Sequence, residues 1–253
     1  MTEFYGLPNA GEFWHWTNLL HFILVGLAGG MAFLTALLHL KGHPEARRYT
    51  LWALGLIALD LFVLWAESPA RFRFTHVWLF LSFHPTSPIW WGSWGLALSF
   101  VSAGLLYLGK GPSKPLAWGL LAFSLVALAY PGMALAVNLN RPLWNALLAG
   151  LFPLTALVLG LGVAVLMKSS WALYPLRILL GASLFLAFLY PFTLTLEDRG
   201  HLWEEGGVLY GLFLALGLGA FGKESLAPWA AFLAAAGLRA LLVAVGQWQG
   251  LGL

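Results

Sequence analysis

Two polar side chains, Asn18 and His21, stand at the start of the first long apolar stretch of the sequence. A spacing of three residues places both on the same face of a helix. Inside a membrane such a pair needs a partner, because an amide and an imidazole lose their hydrogen bonds to water in hydrocarbon. That partner is either a neighbouring helix or a lipid-borne ligand with a carbonyl oxygen, and the spacing leaves both open.

A phenol, Tyr130, is the third candidate, and it precedes Pro131 within another apolar stretch. Proline has no N–H, so the carbonyl of Ala127 lacks its usual helical donor and the helix can open a pocket. An imidazole, an amide and a phenol that converge suit a quinone, because His or Tyr can relay protons as the ring changes oxidation state. The alternative is that Tyr130 is an ordinary interfacial tyrosine.

Acidic side chains inside apolar stretches are costly and are therefore functional candidates. Asp60 and Glu67 lie seven residues apart, which places them on one face of the second stretch. Their spacing suggests part of a path for protons. Alternatively, either acid forms an ion pair with Arg239 or Arg71 that only holds helices together.

Two further charged residues, Arg177 and Glu224, lie at the starts of the sixth and eighth apolar stretches. With Asp60 and Glu67 they could form a chain of titratable groups from one membrane face to the other. Glu224 as a solvated loop acid is the simpler interpretation.

The composition requires a membrane protein. The chain has 253 residues, of which 60% are hydrophobic and only 9% are charged, and its mean hydropathy is +0.82. Soluble domains carry about 25% charged residues. The long, unalternating apolar runs predict an all-α fold. We expect one transmembrane domain over residues 1–253, with eight helices at about 16–40, 49–66, 88–109, 115–137, 143–167, 171–195, 204–221 and 225–245.

The residue types also exclude resident electron carriers. The chain has no cysteine, which rules out iron–sulfur clusters and thiolate metal sites in this chain, and we expect no bound metal. A b-type haem needs two histidines at matching depth on facing helices. The histidines within the expected spans, His21 and His39, lie at opposite ends of one helix, so we expect no haem. A redox role would need a diffusible cofactor, and nothing in the charge pattern suggests nucleic acid.

Basic residues in the connecting segments predict the orientation in the membrane. One side holds seven: Lys41, Arg47, Arg48, Lys110, Lys114, Lys168 and Lys223. The other side holds four: Arg71, Arg73, Arg141 and Arg199. The side with seven should be cytoplasmic. Both termini, and the Asn18/His21 end of the first helix, then face outward.

The whole chain, together with these motifs, resembles the NrfD-type membrane subunits of the polysulfide reductase family. The resemblance extends from Met-Thr-Glu-Phe-Tyr-Gly-Leu-Pro-Asn to Trp-Gln-Gly-Leu-Gly-Leu. The resemblance implies two four-helix bundles and a menaquinone site near the outer face. In the family the quinone is held by residues that match Asn18, His21 and Tyr130. Glu67, Arg177 and Glu224 match positions proposed there for proton conduction.

The resemblance also implies partners and a location. It suggests an iron–sulfur subunit docked on the outer side, which passes electrons to a molybdopterin catalytic subunit, in the inner membrane of a bacterium. The expected function is menaquinol oxidation, with His21 and Tyr130 as catalytic residues. The sequence leaves open the terminal acceptor, the charge moved, the direction of electron flow and whether such complexes pair into dimers. The competing class is a proton or solute transporter without a redox role, for which Asp60, Arg177 and Arg239 would serve equally well. A third interpretation is a passive membrane anchor.

Overall fold

The computed structural model describes residues 16–67, 83–109, 113–137 and 141–247. The regular structure in these ranges is helical, as expected. Its α-helices are α1 (Trp16–Leu40), α2 (Ala46–Glu67), α3 (Pro88–Leu108), α4 (Lys114–Ala136), α5 (Leu147–Leu166), α6 (Leu173–Leu189), α7 (Leu196–Gly219) and α8 (Ala227–Val245). A short 3-10 helix, Tyr190–Thr193, continues α6.

Seven of these helices are long and apolar enough to cross a membrane: α1 to α6 and α8. The chain is therefore a multi-pass membrane protein by length and composition. Most helix ends lie within a few residues of the expected ones. The sixth apolar segment differs because its last turn, Tyr190–Thr193, tightens into 3-10 geometry where Pro191 cannot donate an α-helical hydrogen bond.

The seventh helix is the clearest correction to the expected boundaries. We expected it at about 204–221, with the charged residues before it in a loop, but α7 begins at Leu196. Thr195 caps the helix: its hydroxyl oxygen accepts a hydrogen bond from the backbone N–H of Asp198 at 3.2 Å and donates to Asp198 Oδ2 at 2.6 Å. Acids in a first turn suit the positive end of the helix dipole. These charges also keep α7 outside the group of helices apolar enough to span.

The cap gives a stability prediction. Thr195→Ala removes the acceptor for the first turn of α7 and is expected to cost about 1 kcal/mol. Thermal unfolding of the purified protein measures the loss, and Thr195→Ser, which keeps the hydroxyl, is the control. Equal melting temperatures for the alanine and serine variants would show that the cap contributes nothing.

Helix α1 lies at the centre of the packing. It contacts α2, α4, α5 and α8, while α5 contacts α1, α4, α6 and α8. Consecutive helices also pack together all along the chain, from α1 to α8. Because α1 and α5 touch, the two halves of the chain pack against each other, and both contribute residues to each of two buried apolar clusters. The site described below is built on α1.

The contact between α1 and α5 depends on glycine. A Cβ on Gly30 would collide with the backbone carbonyl oxygen of Ala156 and lie 3.1 Å from the backbone N of Gly160. A Cβ on Gly160 would in turn lie 2.6 Å from the backbone of Gly30. Small residues allow membrane helices to pack backbone against backbone. This fixes the distance between the two central helices.

The N-terminal part of α1 lies beside the C-terminal part of α8. Arg239 Nε of α8 donates to the carbonyl oxygen of Phe22 at 2.8 Å. Trp144, just before α5, donates from its indole N–H to the carbonyl oxygen of Leu242 at 3.1 Å. The start of the first described helix and the end of the last therefore lie at one end of the protein. Which membrane side this end faces stays a prediction.

The opposite end is held together by polar side chains between two connecting segments. Glu45, before α2, accepts hydrogen bonds from Ser169 Oγ at 3.0 Å and from the indole N–H of Trp171 at 3.2 Å. Tyr49 donates its hydroxyl to Ser169 at 2.8 Å. These bonds join the α1–α2 connection to the α5–α6 connection, so both ends of α1 are fixed against the second half of the chain.

Candidate functional site

A buried acid–imidazole pair joins α1 to α2. Nδ1 of His21 lies 2.7 Å from Oδ1 of Asp60. His21 is 5% exposed and Asp60 is fully buried. A buried carboxylate needs a charged or hydrogen-bonding partner, and the imidazole Nδ1–H provides one. The other carboxylate oxygen, Oδ2, has no hydrogen-bond partner within the described part of the chain.

The second ring nitrogen of His21 is hydrogen-bonded to the hydroxyl of Tyr130 on α4. Tyr130 is also buried, and the two rings lie 6.1 Å apart between centroids at 34°. The side chains of Asp60, His21 and Tyr130 therefore form a continuous hydrogen-bonded chain across three helices, and we call these three residues the triad. The sequence placed His21 and Tyr130 at one site, and the structure brings them into direct contact.

Local sequence explains how Tyr130 reaches this position. Gly92 on α3 faces the phenol ring, and a Cβ there would overlap the ring carbons. Tyr130 is followed by Pro131 within α4 and by Gly132, where a Cβ would collide with the carbonyl oxygen of Leu148 on α5. Gly92 therefore leaves room for the phenol ring between α3 and α1, and Gly132 allows α4 to pack closely against α5. None of the spacing arguments from the sequence identified Gly92.

The protons of the triad can be assigned from the chemistry of its members. When His21 is neutral, Nδ1 carries the proton and donates to Asp60, so Nε2 accepts from the Tyr130 hydroxyl. When His21 is protonated, both nitrogens donate, and Tyr130 can turn its own hydroxyl proton toward another acceptor. A carboxylate at 2.7 Å stabilises that imidazolium. The arrangement can accept one proton and pass it on.

Asn18 lies one helical turn before His21, outside this triad. Its side chain is half-buried. It makes no hydrogen bond to Asp60, His21 or Tyr130 among the described contacts. The structure thus brings two of the three expected quinone-binding residues together and leaves the Asn18 amide without either of them as a partner.

A buried arginine, Arg239 on α8, lies next to the triad. Its guanidinium is 1% exposed and sits 4.5 Å from the centroid of the Phe152 ring. Nη1 donates to the carbonyl oxygen of Phe152 at 2.6 Å and to the hydroxyl of Thr155 at 3.1 Å, while Nε donates to Phe22. Gly26 leaves room for it, since a Cβ there would lie 2.8 Å from the guanidinium carbon.

The alternative in which Asp60 pairs with Arg239 does not appear among the described ion pairs. Asp60 forms its ion pair with His21. Arg239 is close enough to interact electrostatically with both Asp60 and Tyr130. Sequence reasoning missed the Asp60–His21 pair because spacing within a helix says nothing about the depth at which two helices meet. A signal was present: both residues are polar groups within long apolar runs.

The remaining proton-path candidates lie elsewhere. Glu67 is the last residue of α2, and its side chain lies outside the described part of the structure. Arg177 on α6 is half-buried and donates to the carbonyl oxygen of Gly222 at 3.1 Å. Glu224 is exposed in the connection between α7 and α8. Arg177 and Glu224 thus meet the same connection, and no described hydrogen bond links them to Asp60.

Comparison with known proteins identifies the family of this chain. A search of curated proteins finds no match to this chain. A family model described as polysulfide reductase matches residues 1–251, which is nearly the entire sequence. Because the match covers nearly the whole chain, this multi-pass helical protein belongs to the NrfD-type polysulfide reductase family.

Proposed function

We propose that this protein is the membrane subunit of a polysulfide reductase-like complex and oxidises menaquinol at Tyr130 and His21. The observation that carries the proposal is the buried chain Asp60–His21–Tyr130. It joins a carboxylate, a base and a phenol, which together can remove a proton from a hydroxyl group in a site with little water. Membership of the family supports a redox complex as the setting.

The triad suits proton removal, and the helical turn before it on α1 suits binding of a quinone carbonyl. Tyr130 supplies a phenol beside a base, and His21 is the base, oriented by Asp60. The half-buried amide of Asn18, one turn away on the same helix, is available to donate to a quinone carbonyl oxygen. In this proposal the residues around Tyr130 and Asn18 hold the head group of menaquinone, the diffusible cofactor, which supplies the two-electron chemistry.

The quinol would supply two electrons and two protons. The electrons would pass to an iron–sulfur subunit docked on the outer side and from it to a molybdopterin catalytic subunit. The hydroxyl next to Tyr130 would give its proton to His21 through that phenol, and the resulting imidazolium would stay hydrogen-bonded to Asp60 until its proton leaves. The second hydroxyl lies on the opposite side of the quinol ring, at the Asn18 end, so its proton would leave past Asn18.

The proposal allows two routes by which protons leave the site. In the simplest version they leave outward, past Asn18. In the coupled version Glu67, Arg177 and Glu224 carry protons between the site and the cytoplasmic face of the inner membrane. Arg177 and Glu224 are placed near each other at the α7–α8 connection, which suits an entry point but not a continuous path to His21.

Replacement of the phenol tests the site. Tyr130→Phe in the assembled complex is expected to lower kcat for menaquinol oxidation by roughly 10- to 100-fold, below the roughly 10²–10⁴-fold contribution of a full general base. His21 can still reach the substrate through water, so some activity should persist. Steady-state quinol oxidation with a soluble electron acceptor measures the change.

A matched control exists in the second half of the chain. Tyr190 is also buried, also precedes a proline, and donates its hydroxyl to the carbonyl oxygen of Leu143. Tyr190→Phe should cost about 1 kcal/mol of stability and leave kcat within twofold. Normal turnover in Tyr130→Phe, or equal losses in both variants, would contradict the proposed site.

The transporter interpretation predicts a different result. A proton or solute channel would not retain quinone on purification and would not need redox partners. Extraction of lipids from the purified complex, with analysis for menaquinone and for iron and molybdenum in co-purifying subunits, separates the two. Absence of all three would favour the transporter.

A further inference from the structure

Two buried polar atoms, one on Asp60 and one on Arg239, remain without hydrogen-bond partners among the described residues. Oδ2 of Asp60 and Nη2 of Arg239 make no hydrogen bond within the described part of the chain, although both residues are at most 1% exposed. Buried polar atoms are normally paired. The guanidinium lies against α1 close to His21, because Nε donates to the carbonyl oxygen of Phe22, the residue after His21, and a Cβ on Gly26 would lie 2.8 Å from its central carbon.

The guanidinium is held in place by uncharged groups. Nε and Nη1 donate to the carbonyl oxygens of Phe22 and Phe152 and to the hydroxyl of Thr155. Backbone carbonyls and a hydroxyl fix its position but do not neutralise its charge. The positive charge therefore acts on whatever acid lies near it, and Asp60 is that acid.

Charge counting shows what this does to the triad. With Asp60 ionised, Arg239 protonated, and His21 and Tyr130 neutral, the buried group has no net charge. Without the arginine the same group would carry one uncompensated negative charge in a low-dielectric interior, which is costly. The His21–Asp60 pair would then bind one more proton at rest, on the carboxylate or on the imidazole.

We propose that Arg239 is a positioning residue that keeps the His21–Asp60 pair in its proton-accepting state. This inference rests on the proposed function, because a base that already holds a proton cannot take one from a quinol. Tyr130 on α4 is hydrogen-bonded to His21, and Arg239 on α8 lies against α1 at the carbonyl of Phe22. Arg239 is the one that supplies positive charge.

Infrared spectroscopy of the purified complex tests the proposal without relying on activity. Arg239→Gln is expected to gain either a protonated-carboxyl band or an imidazolium signal relative to the unsubstituted protein. The double variant Asp60→Asn/Arg239→Gln should lose that signal, because the pair then has no negative charge to neutralise. Arg239→Lys, which keeps the charge, should resemble the unsubstituted protein.

Activity and a second variant complete the test. Arg239→Gln should lower kcat for menaquinol oxidation at least tenfold with little change in KM, and Arg239→Lys should recover a large part of it. Gly26→Ala, which displaces the guanidinium without removing its charge, should give an intermediate loss; it also serves if Arg239→Gln fails to fold. Arg141→Gln is the control, since Arg141 is buried over the Trp144 ring away from the triad.

The outcomes separate the inference from the proposed function. A new proton signal together with lost turnover supports both. Lost turnover with spectra like those of the unsubstituted protein overturns the inference and leaves the proposed site standing. A new proton signal with normal turnover overturns the assignment of the His21–Asp60 pair as the proton acceptor. Equal losses in Arg239→Lys and Arg239→Gln would also overturn the role of the charge.

Discussion

Replacing His21 with alanine is expected to lower kcat for menaquinol oxidation by roughly 10²- to 10⁴-fold, the range of a positioned general base. The change removes the group between Asp60 and Tyr130, which are bonded to its two ring nitrogens. It also leaves Asp60 without its hydrogen-bonded partner inside the protein, so the carboxylate can no longer stabilise a proton near the substrate. Of the single substitutions in the triad, this one breaks both bonds.

The measurement is steady-state quinol oxidation by the assembled complex, with KM determined separately from kcat. His39→Ala is the matched control. His39 lies on the same helix as His21 but near its other end, and its Nε2 is hydrogen-bonded to the hydroxyl of Thr50 at 2.8 Å. We expect the control to retain activity within twofold. A His21→Ala variant that assembles and turns over normally would remove the catalytic assignment. Asp60→Asn should fall between the two, since the imidazole remains but loses its carboxylate.

Gly30→Ala is expected to destabilise the protein by about 3 kcal/mol, at the upper end for overpacking of a close contact. The added Cβ would meet the carbonyl oxygen of Ala156, a backbone atom that cannot move without moving α5. Because α1 carries His21 and α5 carries Thr155, separating the two helices would also disturb the site. The melting temperature of the detergent-solubilised complex reports the loss of stability.

Two other glycines provide controls of the same chemical change. Gly55 on α2 has no atom within 4 Å of an added Cβ, so Gly55→Ala should be neutral or slightly stabilising. Gly26→Ala meets only the end of the Arg239 side chain, which can shift, and should lose activity more than stability. Equal melting temperatures for Gly30→Ala and Gly55→Ala would show that the α1–α5 contact is not the tight one described.

Spacing within one helix was informative in the sequence because helix geometry is local. Asn18 and His21 share a face of α1, and both are at least half-buried. Gly26 and Gly30 also share a face of α1, and Gly30 packs against α5. Its neighbour Gly26 instead accommodates a charged side chain from α8. Spacing could predict that a helix face carries small residues, but not which helix or side chain would pack against that face.

Helix boundaries could be predicted from the sequence where hydropathy alone determines them, but the prediction was wrong where a helix cap determines them. The apolar run of α1 ends where it was expected, at Leu40. The start of α7 was placed too late because its first turns are charged, and their helical form depends on the cap of Thr195 and on acids near the positive end of the dipole. A count of apolar residues cannot register that contribution.

The sequence by itself determined that this is a helical membrane protein without cysteine ligands, that His21 and Tyr130 are chemically unusual in their apolar surroundings, and that the chain resembles one family. These conclusions follow from composition, from periodicity and from motifs. Only the tertiary structure decided that Asp60 bonds His21, that Tyr130 bonds its other nitrogen, and that Arg239 stands beside them. The reason is physical: those contacts depend on the depth and rotation at which separate helices meet, and these are set by glycine contacts and side-chain packing between helices rather than by any pattern within one of them.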